Sequence, residues 1–398
     1  MCSTHHLQLR GQLRHARTEF RRPVRPHSLH HPFQDSLLQA YVNVRYLRFA
    51  SHHEFGADRE WNYCDPMIHH FSFTFTLTAA AFLIEGICGY PLWLYNKIGH
   101  PVSWIGKFIA CLEQNLNRDD FPWEWRRALG FAALAVILFS CFLVAGLFQF
   151  LLGDDGRLTS IAFYVAAAAV STLIAQKSLY SHVDDVAVAL KRKGQAAGRI
   201  AVSKIVGRNV QTLDASGISR AAIESLAENF ADGVVAPIFW TIVLGLPGGL
   251  LYKAINTADS MIGHRTARFE AFGFAAAKLD DLVNFIPARL TALMLCLAAS
   301  TIRNGRVADA WRTMLQDSGG HPSPNAGWPE AAAAGALSIR LGGPRMYGDE
   351  IIKDAFIGSG NRDACVDDIG RALTLYRHAC ALTGLTLILG ALIFTILN

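Results

Sequence analysis

The sequence predicts an all-α, polytopic membrane protein, with re-entrant or short broken helices around an active site on the cytoplasmic side. The chain has 398 residues, of which 52% are hydrophobic and only 17% charged, whereas soluble domains are nearer a quarter charged. The apolar residues are concentrated in discrete runs, and dense polar blocks lie between them. A net charge of +5 is a weak bias, so we expect a lipid bilayer and no nucleic acid as a partner.

The N-terminal segment, residues 1–66, differs from the remaining chain. It is rich in histidine and arginine, shows no helical apolar period and lacks the continuous apolar core of a signal peptide. His-rich tracts sometimes bind metal, but we expect a disordered or non-native extension. Met67 stands just before the first apolar run, and a single membrane enzyme domain is expected over 67–398.

Five apolar runs are candidate spans, because a membrane-crossing helix needs about 20 apolar residues. They lie near 73–95, 129–152, 158–175, 286–302 and 379–397. A turn at 153–157 joins the second and third runs into a hairpin. Lysines and arginines flank this hairpin on both sides, so the positive-inside rule places both flanks in the cytoplasm.

A further apolar run, 234–255, is broken by Gly245, Pro247 and two more glycines. Each half has only about a dozen residues, which is too short to cross a bilayer. We therefore expect a re-entrant or surface-lying helical hairpin. Such broken backbone is tolerated at membrane depth only where it is buried in protein or lines a cavity.

The first polar block, 219–233, carries a stripe of carboxylates. Glu224, Glu228 and Asp232 fall on one helical face, with Asn229 beside them. Like charges four residues apart repel, and no lysine or arginine lies between them. A bound cation or a cationic substrate explains the stripe better than an ordinary solvated face.

The second block, 256–265, contains Asp259 among small polar residues and ends in Arg265. Small polar side chains beside an apolar segment are costly unless they are satisfied. Their oxygens suit Mg²⁺, which takes one or two carboxylates and leaves its other positions to phosphate and water. A polar loop with helix caps is the alternative.

The third block, 278–289, places Asp280 and Asp281 at the start of an apolar helix. Paired aspartates there resemble the metal–diphosphate grip of membrane transferases. Lys278 and Arg289 suit phosphate oxygens, arginine through its bidentate fork. The alternative is a helix cap with lysine and arginine side chains that extend toward water.

The fourth block, 321–330, precedes an alanine-rich helix and contains Ser323, Asn325, Trp328 and Glu330. Backbone N–H groups at a helix start are a natural seat for phosphate. A well-formed helix start without a ligand is the alternative. The chain has no Walker, Rossmann or nucleophile-elbow motif, so a nucleotide would be held by an unfamiliar carboxylate–Mg²⁺ arrangement.

In order, the four blocks resemble the adenosylcobinamide-phosphate synthase family of cobalamin biosynthesis, the CobD/CbiB family. The resemblance covers roughly 91–357, with long matching runs at 222–236 and 323–337, and the motif at 99–106 adds His100. Tyr90 and Asn209 stand where the family usually has an acid.

The resemblance implies a multi-pass enzyme of the cell inner membrane. It implies that ATP and Mg²⁺ drive the amidation of the free propionate of adenosylcobyric acid, and that the amine is aminopropanol as its O-phosphate. Other enzymes of the corrinoid pathway are candidate partners. The implied roles are metal binding for Asp259, Asp280 and Asp281; phosphate binding for Arg208, Arg265, Lys278 and Arg289; amine binding or base chemistry for Glu224, Glu228 and Asp232, with Asn229 orienting; and substrate binding for Ser323, Asn325, Trp328, Glu330 and His100.

Two other interpretations remain open at this stage. Asp280-Asp281 near a span also suits an intramembrane prenyl or phospho-alcohol transferase, although a second aspartate-rich motif is missing. Intramembrane carboxylates also suit an ion path in a transporter, or a membrane scaffold for corrinoid enzymes. Inverted repeats would favour the transporter, and none is visible in the sequence.

Overall fold

The computed structural model describes residues 66–152, 160–207, 209–343, 345–347, 350–352, 355–358 and 363–398. Within these residues the chain is almost wholly helical, which confirms the predicted all-α class. The predicted extension up to residue 65 and the predicted turn 153–157 lie outside the described residues.

Thirteen α-helices and four short strands follow one another in the described residues. The helices are α1 Pro66–Cys88, α2 Leu92–Ile98, α3 Pro101–Leu116, α4 Trp123–Leu152, α5 Ser160–Ser171, α6 Gln176–Val202, α7 Ala215–Phe230, α8 Ala236–Ile262, α9 Phe274–Val283, α10 Phe285–Ala298, α11 Val307–Asp317, α12 Gly327–Leu337 and α13 Val366–Leu397. A π-helical turn, Ala231–Val235, joins α7 to α8, and 3₁₀ turns follow α10 and α11 at Ala299–Thr301 and Ser318–Gly320. Strand β1 (Leu341–Gly342) pairs antiparallel with β4 (Phe356–Ile357), and β2 (Arg345–Tyr347) with β3 (Glu350–Ile352).

Five helical segments are long and apolar enough to cross a membrane. They are Pro66–Cys88, Trp123–Leu152, Ser160–Val202, Ala215–Ile262 and Val366–Leu397. The pair Phe274–Val283 and Phe285–Thr301, bent by 47°, is a sixth candidate. Large apolar side chains such as Phe139 and Leu392 point outward, as lipid-facing residues do. The chain is therefore a multi-pass membrane protein.

The first predicted span, 73–95, is wrong at its C-terminal end, because α1 stops at Cys88. Gly89 adopts a positive φ of 62° and donates its N–H to the Glu85 carbonyl at 2.7 Å, which closes the helix. The following α2 is separate and begins after Pro91. The last predicted span, 379–397, is the C-terminal part of a longer helix, since α13 already starts at Val366.

A buried carboxylate connects the first span to a later helix. Glu85 is 4% exposed and accepts the backbone N–H of Lys177 at 3.0 and 3.1 Å. Lys177 lies in the first turn of α6, where exposed N–H groups and the helix dipole favour a negative charge. The Lys177 ammonium returns a bond to the Ile87 carbonyl at 2.7 Å. Glu85 is thus the N-terminal anchor of α6, which explains a charge inside an apolar run.

The 234–255 run forms a helical hairpin, as predicted, with its tip at Gly245. That residue has φ 70° and ψ −162° inside α8, a conformation open to glycine almost alone. The backbone of Gly248, on the second arm, lies so close to the Trp240 carbonyl on the first arm that a β-carbon on Gly248 would collide with it. The second arm therefore packs directly against the first. The first arm is not a free half-helix, because the π turn makes it continuous with α7.

The alanine-rich helix α12 forms the centre of the main core. Every residue from Pro329 to Leu337 is buried, and the helix packs between α10, α11 and α7. Its small side chains allow this close approach. The loop before it, 321–326, is held against the bend between α9 and α10.

Candidate functional site

The hairpin brings the first and second polar blocks together. The Tyr252 hydroxyl, on the returning arm, lies 3.1 Å from the carbonyl oxygen of Asp232. One turn further along that arm, Asn256 Nδ2 lies 3.4 Å from Asp232 Oδ2. The break at Gly245 is therefore what places residues that are about 20 positions apart side by side.

The bend between α9 and α10 adds the third block. Asn284, at the bend, donates from Nδ2 to Asp280 Oδ2 at 2.9 Å and accepts the Tyr252 hydroxyl at 2.9 Å. Asn256 Nδ2 also lies 3.4 Å from Asp280 Oδ1. Asn284 is 1% exposed and Asp280 8%. Amide and phenol groups thus hold the carboxylates of two helices in fixed positions.

Five carboxylates in this region act electrostatically on one another. Asp232 interacts electrostatically with Asp280, Glu228 and Asp259, and Asp280 with Asp259 and Asp281. We call these five residues the acid cluster. Asp280 is buried whereas Glu228 is exposed, so the cluster extends from the interior to the surface. Such a concentration of negative charge is unfavourable without a cation. A phosphate-bound metal or an alkylammonium group would be stabilised there.

Lys253 is a further basic residue near this cluster. Its ammonium interacts electrostatically with Asp232 and Asp280, on the same returning arm that carries Asn256. The sequence analysis did not single it out. A signal was present, because Tyr252, Lys253, Asn256 and Asp259 recur at three- and four-residue spacing on one helical face.

His100 reaches the same region from the start of α3. Burial, and then the positive charge of Lys253, lower the pKa of the imidazole below its usual value of 6.5. Its Nδ1 accepts the Val102 N–H at 3.2 Å and caps α3. Tyr90 packs against the ring with a centroid distance of 4.4 Å and donates to the Gly99 carbonyl at 2.8 Å. Tyr90, which stands where the family usually has an acid, therefore supports the His100 ring and the start of α3.

The fourth block meets the third through Asn325 and Arg289. Asn325 Nδ2 donates to the Asp281 carbonyl at 2.8 Å, and Arg289 Nη1 lies 3.5 Å from Asn325 Oδ1. The Arg289 guanidinium is 3.5 Å from the centre of the Phe285 ring and 4.5 Å from that of Trp328. Two aromatic faces hold the guanidinium beside the cluster, which suits recognition of phosphate or carboxylate.

Three predicted site residues are instead engaged elsewhere. Glu224 is buried and accepts the Gly342 N–H at 2.7 Å, so one of its carboxylate oxygens anchors β1. Ser323 Oγ accepts the Asn325 and Ala326 N–H groups at 3.3 and 3.2 Å, which is a turn cap. Glu330 is 1% exposed and lies 3.6 Å from His321 Nε2. In these contacts the three side chains hold the fold together, and their ligand roles stay predictions.

Three further predicted residues, Asn229, Lys278 and Arg265, are exposed or lie near the surface. Asn229 is exposed and donates to the Ser225 carbonyl at 2.9 Å. Lys278 pairs with Asp281 at 3.5 Å near the surface. Arg265 is exposed in the segment after α8. Arg208 lies outside the described residues.

The carboxylates of the acid cluster are the groups that could hold a metal ion. In the part of the chain that the structure describes, no three His, Cys, Asp or Glu side chains form a ready-made metal site. Mg²⁺ needs only one or two protein carboxylates when phosphate and water complete its shell. The carboxylate and amide oxygens of the cluster fit that mode of binding.

Comparison with known proteins gives one consistent result. Residues 78–376 match the family model described as CobD/Cbib protein. The chain is 47% identical over 311 residues to "Cobalamin biosynthesis protein CobD" of Brucella suis biovar 1, with 77% of this chain and 94% of the relative covered. It is 44% identical over 306 residues to the protein of that name from Rhizobium meliloti, with 76% of this chain and 92% of the relative covered. It is 46% identical over 309 residues to the protein of that name from Rhodobacter capsulatus, with 77% of this chain and 93% of the relative covered. No solved structure matches the chain.

Proposed function

This chain belongs to the CobD/CbiB family and takes part in cobalamin biosynthesis, and we propose that it does so as an ATP-dependent amide synthase. Its acid substrate is the free propionate of adenosylcobyric acid, and its amine is aminopropanol, as the O-phosphate. One observation supports the proposal best: basic groups lie near the acid cluster. They are Lys253 and the Arg289 guanidinium, which the Phe285 and Trp328 rings hold in an aromatic clamp. Anionic phosphates, a divalent cation and an ammonium group all find opposite charges there.

The chemistry explains why both signs of charge are needed. A carboxylate and an amine do not condense in water at a useful rate. The propionate oxygen attacks the γ-phosphorus of ATP, ADP leaves, and an acyl phosphate forms. The amine, after loss of a proton, attacks the acyl carbon, and inorganic phosphate leaves with the C–O electron pair. The first step needs cations around phosphate, and the second needs a base.

The residues divide between these two tasks. Asp259, Asp280 and Asp281 would hold Mg²⁺, which neutralises phosphate charge when bound. Arg289 would bind phosphate oxygens, because its aromatic clamp fixes the plane of the guanidinium. Glu228 and Asp232 would bind the ammonium of the amine, and Glu228, on the exposed side, would accept its proton.

The placement in the cell follows from the same reaction. ATP is available in the cytoplasm, so we propose that the acid cluster opens to the cytoplasmic face of the inner membrane. The lysines and arginines that flank the hairpin of α4 and α5 agree with this orientation.

The proposal is tested by ATP-dependent consumption of adenosylcobyric acid in purified membranes. We expect Glu228→Ala and Asp281→Ala each to reduce turnover on the order of 10²-fold or more, because each removes charge aimed at the reacting groups. Asp363→Ala is the matched control, since this exposed carboxylate pairs with Arg340 outside the cluster. Near-normal turnover in both cluster variants would refute the assigned roles. Turnover without ATP would refute the reaction and favour a transferase.

A further inference from the structure

The short helix α2 presents an apolar side to its surroundings, and no residue of α2 is buried. Leu92, Tyr95 and Ile98 recur at every third position, so they lie on one side of the helix. They are 78%, 52% and 51% exposed. Trp93 and Lys97, four residues apart, lie on the opposite side, where the Lys97 ammonium is 5.9 Å from the centre of the Trp93 ring. One side of α2 is therefore apolar and the other carries a charge.

The preceding span fixes the depth at which α2 begins. The 23 residues of α1 measure roughly 35 Å at 1.5 Å per residue, slightly more than the hydrocarbon core of about 30 Å. The end of α1 at Cys88 therefore lies near the boundary between acyl chains and headgroups. Leu92 follows four residues later, so the chain can carry it at most about 14 Å from Cys88. The apolar side of α2 is thus continuous with the lipid-facing surface of α1.

The far end of α2 is held in place by hydrogen bonds. Trp104 Nε1, in α3, donates to the Ile98 carbonyl at 2.7 Å, and the Tyr90 hydroxyl donates to the Gly99 carbonyl at 2.8 Å. Gly99 has a φ of 76°, and α3 begins two residues later. These bonds make α2 a fixed element and not a loose linker. In water three large apolar side chains on one side of such an element would be unfavourable, whereas at a bilayer surface they are stabilised.

We propose that α2 is an in-plane membrane helix whose partner is phospholipid. Leu92, Tyr95 and Ile98 enter the acyl chains of the leaflet in which α1 ends, and Trp93 and Lys97 stay at the level of the headgroups. Tryptophan and tyrosine are enriched at this level of membrane proteins. The Lys97 ammonium there meets lipid phosphate. Because α2 is bonded to the turn at Gly99, this contact also holds the start of α3, with His100, at the membrane surface. The inference does not depend on the proposed function.

The test measures the depth of single spin labels on the full chain in nanodiscs. Each label is a nitroxide coupled to p-acetylphenylalanine, so that the eight cysteines of the chain stay unchanged. Leu92, Tyr95 and Ile98 are replaced one at a time, and Lys97 is the matched control on the opposite side of the same helix. Power saturation compares collision with O₂, which concentrates in lipid, with collision with a nickel chelate, which stays in water.

We expect the labels at 92, 95 and 98 to lie about 5–10 Å below the lipid phosphates, and the label at 97 to lie at or above them. Two exposed residues calibrate the measurement: Phe139 on α4 for lipid, and Lys193 on α6 for water. Elution volume and helical content show which labelled variants are folded. The three apolar positions are independent, so one misfolded variant leaves two that decide the outcome.

The two collision partners separate lipid from the other possible surroundings of α2. Strong collision with O₂ and weak collision with the nickel chelate at the apolar positions, with the reverse at 97, support the proposal. Strong collision with the nickel chelate at all four positions would place α2 in water and overturn it. Weak collision with both reagents at the apolar positions would also overturn it, because protein would then cover this side, either residues 1–65 or a second copy of the chain.

Discussion

Asn284 offers the sharpest test of how the site is held together. It lies at the bend between α9 and α10 and is 1% exposed. Its amide donates to the Asp280 carboxylate at 2.9 Å and accepts from the Tyr252 hydroxyl at 2.9 Å. The variant Asn284→Ala removes both bonds and leaves the buried Asp280 carboxylate with one fewer donor.

The expected size of the effect follows from these two contacts. A hydrogen bond to a charged group contributes about 1.5–3 kcal/mol, and one between neutral groups about 0.5–1.5 kcal/mol. The Asp280 bond is of the first kind and the Tyr252 bond of the second. We expect Asn284→Ala to lower the free energy of unfolding by roughly 2–4 kcal/mol. Turnover should fall about 10- to 100-fold, as is typical when a group that orients a ligand is lost.

Thermal unfolding in detergent measures the stability, with a thiol-reactive dye reporting exposure of the buried Cys141, Cys296 and Cys380. Asn115→Ala is the matched control, because Asn115 is exposed and bonds only within α3, and we expect it to change stability by about 0.5 kcal/mol or less. Tyr252→Phe separates the two contacts, since Asn284 then keeps its bond to Asp280. Equal stability of Asn284→Ala and Asn115→Ala, with full turnover, would show that the bend does not organise the cluster.

Two further predictions concern the backbone conformation of Gly245 and the protonation of His100. Gly245→Ala should lower the free energy of unfolding by about 1–3 kcal/mol, because φ 70° and ψ −162° strain any other residue. Gly146→Ala is the control: Gly146 lies in α4 with open space around it, so this variant should be neutral or stabilising in the same unfolding measurement. His100 has a lowered pKa in the folded chain, so the unfolded state binds the proton more readily, and stability should fall as the pH drops below about 6.5. Asn at position 100 keeps a capping acceptor, so His100→Asn should remove this difference when unfolding free energies at pH 7.5 and 5.5 are compared.

Apolar run lengths and breakers in the sequence predicted most of the fold. The multi-pass helical class and the hairpin at Gly245 are both present, because run length and the positions of glycine and proline act locally. The C-terminal end of α1 was misplaced, and the helical segment before the last apolar run was not predicted. Hydropathy alone does not show that Gly89 closes a helix, or that the polar start of α13 remains helical outside the apolar run.

The candidate site was predictable only in part. Asp259 of the second block and Asp280 of the third act electrostatically on Asp232, and Glu228 acts on both Asp232 and Asp259. The contact of Glu224 with the Gly342 N–H could not be predicted, because its partner is 118 residues away and no local pattern reveals it. Lys253 was overlooked because a single lysine in an apolar helix is usually taken as lipid-facing, and its acidic neighbours come from other segments. Contacts between residues that are far apart in the sequence thus determine which residue of each motif faces the acid cluster.

The contact between Glu85 and Lys177 bears on how the protein is made. Glu85 belongs to the first apolar helix, yet its partner lies 92 residues later in the chain. At 5–20 residues per second, the ribosome needs roughly 5–20 s to supply that partner. Until then a carboxylate in the first helix would face lipid, which is costly. We expect α1 to settle at its final depth only when α6 arrives, so the two helices would be integrated into the bilayer as a pair.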